Sequence, residues 1–511
     1  MPRTRNTRLL PLSFLLLLAN SAGSIEIPGV PGRWSVSGFA EGYGVFRTDP
    51  STQRQRPAAI VDVKATGNVL PKVRLFLDTR AVFGGPPEHA HGVGLYDLDD
   101  TFQNVSPSIE IEEGYADIHL PRLDVRVGKQ KFAWGRLDAF QPTDVVNPRQ
   151  WSDPFVTEEQ DAKIGVPAVR TSYFPSRVPG DLATDTSVTL VWVPVPVSFR
   201  FPLAGERWFP SSIVPRELVV PKGKSRDPDT QPVPPFPIVL TPRLETANRP
   251  PPHQFDEGAV ALRLAGVSAP VSWSLVYYDG QETAPDFDLS SIAFAPNPNN
   301  VANLITVQTL RPRLDRIRLL GGDATVVISD FTVRAEAAYG FGRMLPRSLA
   351  DLTTFDNILR ALGGETGATD ALQRLRNGEH VRVDLGDLFV ARDTVAWGVG
   401  ADYRWRGWMP VVQLNQTLVL RNRLRLLVAD TDTSLVIGLQ KTLLRERLKA
   451  QVSCIQGVVR SYTALIPTLA YDLTDDLRVK VGYLMIAGTR NSLIGQFHDN
   501  DEGFVQLRYS Y

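Results

Sequence analysis

Charged side chains that alternate with apolar ones are the residues of this sequence whose types and spacing could do chemistry. In the stretch 72–83, arginine and aspartate recur at even-numbered positions. Fixed guanidinium groups in a narrow aqueous passage raise the local concentration of anions, so the pattern indicates electrostatic selection. The residues on the polar phase are Arg74, Asp78, Arg80, Asp124, Arg126, Arg263, Arg334, Glu336, Asp402, Arg404, Lys480 and Arg508. Arginine residues outnumber acidic residues in this set. The alternative is that these charges only form a solvated inner wall and select no solute.

Motifs of the common catalytic and metal-binding classes are missing. The sequence contains no nucleophile elbow, phosphate-binding loop, dinucleotide fingerprint or zinc-protease helix. His89 and His91 are the only neighbouring histidines, and the acidic clusters at 97–100, 430–432 and 499–502 lack the spacing of a calcium loop. With 55 basic and 55 acidic residues, the chain has no charge excess for nucleic acid. We predict a protein that is not an enzyme and has no cofactor, metal or nucleic-acid partner.

The elements that must position the charges are β-strands. Between Val73 and Phe83 the apolar residues fall on one face, with a period of two. The pattern fits a strand between lipid and a wet lumen, and also a half-buried strand of a soluble sheet. Loop lengths favour the former, because short turns such as 121–122 and 474–476 alternate with long connections, as in outer-membrane barrels. The long connections are 84–108, 134–165, 201–254, 282–303 and 342–380.

The two ends of the chain agree with a membrane barrel. Residues 1–24 have a basic start, a short apolar run and small residues at a cleavage site, which is the layout of a signal peptide. Residues 25–33 would form a short periplasmic segment. The last ten residues alternate as far as Tyr511, which predicts a final strand that pairs with the first. This ending resembles the C-terminal signature of bacterial outer-membrane barrels, which implies the barrel-assembly machinery as a partner.

The sequence therefore predicts an all-β fold, a transmembrane antiparallel up-and-down β-barrel over residues 34–511. We expect about 18 strands (16–18), short periplasmic turns, long extracellular loops and a place in the outer membrane of a Gram-negative bacterium, in contact with its lipid. Loop 201–254 is rich in proline and should be extended. Loop 342–380 carries helical spacing at Leu352, Phe355, Ile358, Leu359 and Leu362, followed by a Gly-Gly stop.

Residues 123–154 are the most distinctive stretch, with Gly128-Lys129-Gln130, Trp134-Gly135 and Asn147-Pro148. Together with the closing hairpin, residues 473–490 and 494–511, this stretch resembles a poorly characterised group of outer-membrane porin-like proteins that are loosely similar to alginate-export barrels. The resemblance implies that the loop at about 134–165 folds into the pore and narrows it; the alternative is that its Gly, Asn and Pro residues only shape a turn. The implied constriction residues are Lys129, Gln130, Trp134, Arg136, Asp138, Asp144, Asn147 and Arg149.

Three functional hypotheses follow from these observations. The first is an outer-membrane porin for passive or facilitated diffusion of small polar or anionic solutes. The second is a conduit that exports lipid or another hydrophobic cargo with periplasmic carriers and an inner-membrane pump, for which an apolar lumen would be the sign. The third is a structural barrel without transport, occluded by its loops. The sequence leaves the solute, the gating and the oligomeric state open.

Overall fold

The computed structural model describes residues 24–25, 34–47, 58–84, 108–150, 162–176, 183–197, 199, 208, 218–220, 238–246, 257–282, 286–288, 291–296, 304–347, 360–384, 389–424, 426, 428–489, 492 and 494–511. The predicted signal peptide and periplasmic segment lie almost wholly outside these residues. Only Ser24–Ile25 is described there, and it pairs with Trp34 and Ser35.

Eighteen antiparallel strands follow one another around a single closed sheet, which confirms the predicted fold class and strand number. The strands are β1 Trp34–Arg47, β2 Ala58–Leu70, β3 Val73–Gly84, β4 Ser108–Leu120, β5 Leu123–Gln130, β6 Val166–Tyr173, β7 Thr184–Val193, β8 Ala259–Ser268, β9 Val271–Gln281, β10 Arg316–Ile328, β11 Phe331–Pro346, β12 Phe389–Tyr403, β13 Trp408–Val419, β14 Thr431–Leu443, β15 Leu448–Gly457, β16 Tyr462–Asp472, β17 Leu477–Gly488 and β18 Glu502–Ser510.

The barrel closes where β1 meets β18. Their antiparallel register runs from Phe39 opposite Ser510 to Arg47 opposite Glu502. Beyond the last strand, the amide of Tyr511 donates to the Gly38 carbonyl (3.0 Å) and the amide of Gly38 donates back to the Tyr511 carbonyl (2.9 Å). No hydrocarbon solvent can satisfy free backbone groups, so closure of the sheet is what makes these strands compatible with a membrane.

The side chain of Tyr511 strengthens this seam by crossing β1. Its hydroxyl donates to the carbonyl of Asp62 on β2 (3.0 Å), so the last residue ties together three consecutive strands. The ring passes over Gly38, where an added Cβ would lie 2.8 Å from the Tyr511 hydroxyl oxygen and would overlap the Asp62 carbonyl. Position 38 therefore requires glycine, because no space remains for a Cβ atom.

Replacing Gly38 by leucine should destabilise the barrel, because the new side chain displaces Tyr511 from the seam. We expect a cost of about 2 kcal/mol from overpacking and the lost hydrogen bond. The measurement is the urea midpoint of unfolding from lipid vesicles. Gly42→Leu is a matched control, since the same strand leaves open space around Gly42. Equal midpoints for the two variants would contradict the account.

Alternation gives the barrel an apolar outer face and a mixed inner face. On β9, for example, Leu275 and Tyr277 are exposed on the outside, whereas Val276 and Tyr278 are buried inside. The same parity holds on neighbouring strands, where Leu262 and Leu320 face outward. An exposed apolar belt around a closed sheet is what lipid requires. Among the described residues, no helix is both long and apolar enough to cross a membrane.

The long connections leave one end of the barrel, called here the outer end; Trp34 at the start of β1 and Tyr511 after β18 lie at the inner end. Connections such as 71–72, 121–122 and 269–270 are short at the inner end. At the outer end, three long loops share a small sheet, called here the outer loop sheet. Its strands are Leu218–Val220, Ile238–Thr246, Asp286–Asp288, Ser291–Pro296, Leu304–Arg313 and Val381–Asp384.

Two loops differ from the sequence predictions in detail. Within loop 201–254, two strands join the outer loop sheet, and Ile238–Thr246 runs parallel to Leu304–Arg313. The proline content does not predict this pairing, because proline has no N–H for a ladder. In loop 342–380 the helix α1 spans Gly364–Arg376 and begins at the second glycine of the Gly-Gly pair; Arg360 and Ala361, just before the pair, are also helical. The predicted helical residues from Leu352 to Leu359 lie outside the described residues.

Candidate functional site

A row of charges crosses four strands on the inner wall. Arg74, Asp117, Arg126 and Arg170 are direct neighbours in the registers of β3 to β6. Asp117 accepts from Arg74 (2.8 Å) and from two nitrogens of Arg126 (2.6 and 2.9 Å), and the Arg126 guanidinium lies 3.7 Å from the Tyr115 ring centroid. Two guanidinium groups thus share one carboxylate, and a third, that of Arg170, lies next to them in register.

Arg170 stands directly opposite Arg126 on the neighbouring strand. Like charges in this position destabilise a sheet. Arg170 makes no ion pair with any described residue, and its Nε is buried without a hydrogen-bond partner. Arg263 on β8 is in the same condition: its buried Nε has no partner and it makes no ion pair within the described ranges. Arg170 on β6 and Arg263 on β8 are therefore two inward positive charges without an ion pair to a described residue.

The neighbouring part of the wall is balanced. On β2 and β3, Arg80 contacts Asp62 (3.3 Å) and Lys64 contacts Asp78 (3.2 Å). Next to them on β18, Arg508 lies over the Phe39 ring at 3.5 Å and reaches Glu41 at 3.8 Å. Each basic side chain named here contacts a carboxylate, so this part of the wall has no clear net charge.

Residues 131–150, called here the inward segment, leave β5 and are fixed at their root. Gly128 has a φ of 138°, so the backbone of β5 changes direction there. The two residues that follow, Lys129 and Gln130, are buried. Asn147 accepts from the Phe132 amide (2.6 Å) and donates to the Ile164 carbonyl (2.8 Å). Lys163 is almost fully buried and forms an ion pair with Asp144 at 2.8 Å. Asp144 also forms an ion pair with Arg149 at 2.9 Å.

The far part of the inward segment is bound to β10 through β13. Glu336 on β11 accepts from the amides of Arg136 (2.9 Å), Leu137 (3.4 Å) and Thr143 (2.6 Å), and from the Thr143 hydroxyl (2.8 Å). The Arg136 guanidinium pairs with Asp323 on β10 at 2.9 Å. One carboxylate therefore anchors three backbone amides of the segment.

A charge bridge and a buried amide complete these contacts. Arg334 on β11 lies between Asp402 (2.6 Å) and Asp138 of the inward segment (3.3 Å). Gln413 on β13 is fully buried; it accepts from the Asp138 amide at 2.9 Å and donates to the Ala139 carbonyl. Burial raises the pKa of Asp138, while Arg334 opposes this shift and Asp402 adds to it.

An apolar core lies between the inward segment and the wall. Phe132, Trp134 and Val146 of the segment pack against inward side chains of β6 to β11. These side chains are Val166, Ala168, Val191, Val193, Ala259, Ala261, Val276, Tyr278, Ile317, Leu319 and Ala338. The apolar part of this inner wall is therefore covered by the segment. It forms a packed core and does not line a passage.

The opposite wall carries a second apolar cluster. Trp208, from the connection between β7 and β8, meets Phe497 of the β17–β18 connection with ring centroids 5.4 Å apart. Both pack with inward residues of β16 and β17, including Tyr462 and Leu484. Trp208 and Phe497 thus contact inward-facing residues of the barrel wall, a contact that no sequence pattern predicts.

Most residues proposed from the sequence lie on the inner wall or in the inward segment, and two do not join the main clusters. Arg404 lies beyond β12 in an exposed turn, since the strand ends at Tyr403. Asp124 contacts His119 (3.0 Å) at the inner end. Sequence reasoning missed Asp117, Arg170, Asp323 and Gln413. Asp117 and Arg170 occupy inward-facing polar positions of their strands, so alternation could have identified them. Gln413 is neutral, so no charge distinguishes it from other polar residues.

Within the described residues, no group of three or more His, Cys, Asp or Glu side chains could hold a metal ion. Cys454 on β15 is half-buried and free.

No protein-family model and no curated protein matches this sequence. Three solved structures are similar to this chain over most of its length. OccK8 (OprE) of Pseudomonas aeruginosa is 9% identical with a TM-score of 0.47, over 94% of this chain and 97% of that one. OccAB1 of Acinetobacter baumannii is 8% identical with a TM-score of 0.45, over 96% and 98%. The outer-membrane channel DcaP of Acinetobacter baumannii is 10% identical with a TM-score of 0.41, over 96% and 100%.

The closed eighteen-strand sheet with its apolar outer face is a transmembrane β-barrel. The predicted fold is therefore confirmed, whereas the outer-membrane location remains a prediction. The particular resemblance to alginate-export barrels remains a prediction.

Proposed function

We propose that this protein is an outer-membrane porin that passes small polar solutes and favours anions. The observation that carries the proposal is that two inward guanidinium groups, Arg170 on β6 and Arg263 on β8, make no ion pair with a described residue. Fixed positive charge inside a low-dielectric wall attracts anions and repels cations. Arg126 opposite Arg170 is a costly pair in an empty sheet, and an anion between them would offset the repulsion.

The inward segment acts as the constriction in this proposal. It spans from its root on β5 and β6 to anchors on β10 through β13, and it presents Arg136 and Asp138 to the interior. Solutes then pass between the segment and the arc of paired charges on β1 to β4. The partner is a small solute, and the protein performs no catalysis.

Solute uptake into liposomes tests this function. Vesicles containing the purified protein should take up a small dicarboxylate faster than a diamine of similar size, by about threefold or more for a potential of a few kT. Heat-denatured protein is the control for leakage. No uptake of either solute, or faster uptake of the diamine, would refute the proposal.

The export of a hydrophobic cargo is less well supported. That function needs an apolar lining, and the largest apolar inner surface is covered by Phe132, Trp134 and Val146.

A further inference from the structure

Three charged side chains face outward at the outer end of β9 and β10. Asp279 contacts the Nε of Arg316 at 2.6 Å and the Nε of Arg318 at 3.4 Å. The alternate residues Ile317 and Leu319 are buried inside the barrel, so both arginines lie on the lipid side. The Arg316 side chain is 47% exposed and that of Arg318 is 66% exposed.

The depth of these arginines follows from the register. Arg318 lies opposite Asp279 on β9 and Phe341 on β11. Two residues further toward the membrane centre, Tyr277, Leu320 and Tyr339 stand on one rung. Aromatic side chains of this kind mark the membrane–water interface of barrels. The guanidinium groups therefore stand just above the aromatic girdle, at the level of the lipid headgroups of the outer leaflet.

The charge of this patch is unbalanced. Two guanidinium groups meet one carboxylate, and Arg318 has no hydrogen bond to any described residue. On the outer halves of the eighteen described strands, Arg316 and Arg318 are the only outward-facing basic side chains. An arginine near the interface costs little. Its planar fork of donors matches a phosphate, which it binds through two parallel hydrogen bonds.

Below the arginines lies an apolar surface of the right kind for acyl chains. Leu262, Tyr277 and Leu320 are neighbours in register on β8, β9 and β10, and all three are exposed. A ligand that fits both parts has a phosphate above and hydrocarbon below. The outer leaflet of an outer membrane supplies such a molecule in its phosphorylated glycolipid.

We propose that Arg316 and Arg318 bind a phosphate on the headgroup of an outer-leaflet glycolipid, whose acyl chains lie over Leu262, Tyr277 and Leu320. Asp279 holds the two guanidinium groups in the absence of the lipid and competes with its phosphate. The site is on the outside of the barrel, so it is independent of the proposed transport.

The probe is bis-phosphorylated lipid A added to the detergent-purified barrel, with binding followed by native mass spectrometry. Arg316→Gln/Arg318→Gln should weaken binding about tenfold, since two charge-assisted contacts are lost. Lys441→Gln is the matched control: Lys441 faces outward at the inner end, over the Trp408 ring at 4.8 Å, and its loss should leave binding unchanged. Heat-modifiable migration on gels checks that each variant is folded.

A second variant separates lipid binding from a purely structural role. Asp279→Asn should bind lipid A more tightly than the unaltered protein, because it removes the competing carboxylate. If Asp279, Arg316 and Arg318 serve only to link β9 to β10, Asp279→Asn would weaken lipid A binding or leave it unchanged. The proposal would then fail. It would also fail if dephosphorylated lipid A bound equally well, or if millimolar inorganic phosphate alone displaced lipid A, which would identify a site for free phosphate.

Discussion

Replacing Arg170 and Arg263 together by glutamine is expected to abolish most of the anion preference of the pore. Neither arginine makes an ion pair with a described residue, so their removal lowers the positive charge of the wall without leaving a carboxylate unpaired. We expect the chloride-to-potassium permeability ratio to fall about threefold or more, as fixed charges in a narrow passage set potentials of a few kT. The reversal potential across a planar bilayer in a potassium chloride gradient measures this ratio.

The lysine variant of the same pair is the control. Arg170→Lys/Arg263→Lys keeps both charges and should keep the preference, although it loses the planar donor fork. The screening of charge by salt gives a further check, because the difference between the variants should shrink at 1 M salt, where the Debye length is about 3 Å. A glutamine variant as anion-selective as the unaltered protein would show that these arginines do not face the permeating ions.

Replacing Glu336 by alanine is expected to release the inward segment and to raise single-channel conductance. Glu336 accepts from the amides of Arg136, Leu137 and Thr143 and from the Thr143 hydroxyl. Loss of the carboxylate leaves these donors unpaired in a buried place, at a cost of about 1–3 kcal/mol for each. The barrel ladder does not depend on the side chain, so the segment should detach while the strands remain.

Conductance should increase about twofold or more if the segment narrows the passage, since the interior of an eighteen-strand barrel is wide when empty. Limited proteolysis should also cut within residues 131–150 more readily than in the unaltered protein. Gln451→Ala is the matched control, because Gln451 faces inward on β15 and bonds only to Ser453. Unchanged conductance together with new cleavage would mean that the segment moves but does not constrict the pore.

The sequence predicts the barrel well because a period of two carries the fold. Each strand between lipid and water must alternate, so Leu275 and Val276 on β9 reveal their faces without any tertiary information. The closure between β1 and β18 follows from the alternating end of the chain. The seam contact of Tyr511 with Asp62 does not, because it depends on a register between residues 449 positions apart.

The candidate site is predicted less completely, for a physical reason. Alternation places Arg126 and Glu336 on the inner wall but does not say what each side chain meets. Glu336 binds the backbone of the inward segment, whereas Arg126 shares Asp117 with Arg74. Gln413 anchors the same segment and is missed because a neutral amide on a polar phase looks like any solvated residue. Arg404 lies one residue beyond the end of β12, because alternation does not mark where a strand ends.

The most direct test of the central claim is the reversal potential of the unaltered protein in a planar bilayer. Potassium chloride is concentrated on one side and tenfold more dilute on the other. The reversal potential of an anion-preferring pore then has the sign of the chloride equilibrium potential. Raising the salt on both sides at the same ratio reduces its magnitude, because salt screens the fixed charges. The account predicts channel activity with this sign. Absence of any channel, or a potential of the sign set by potassium, would contradict it.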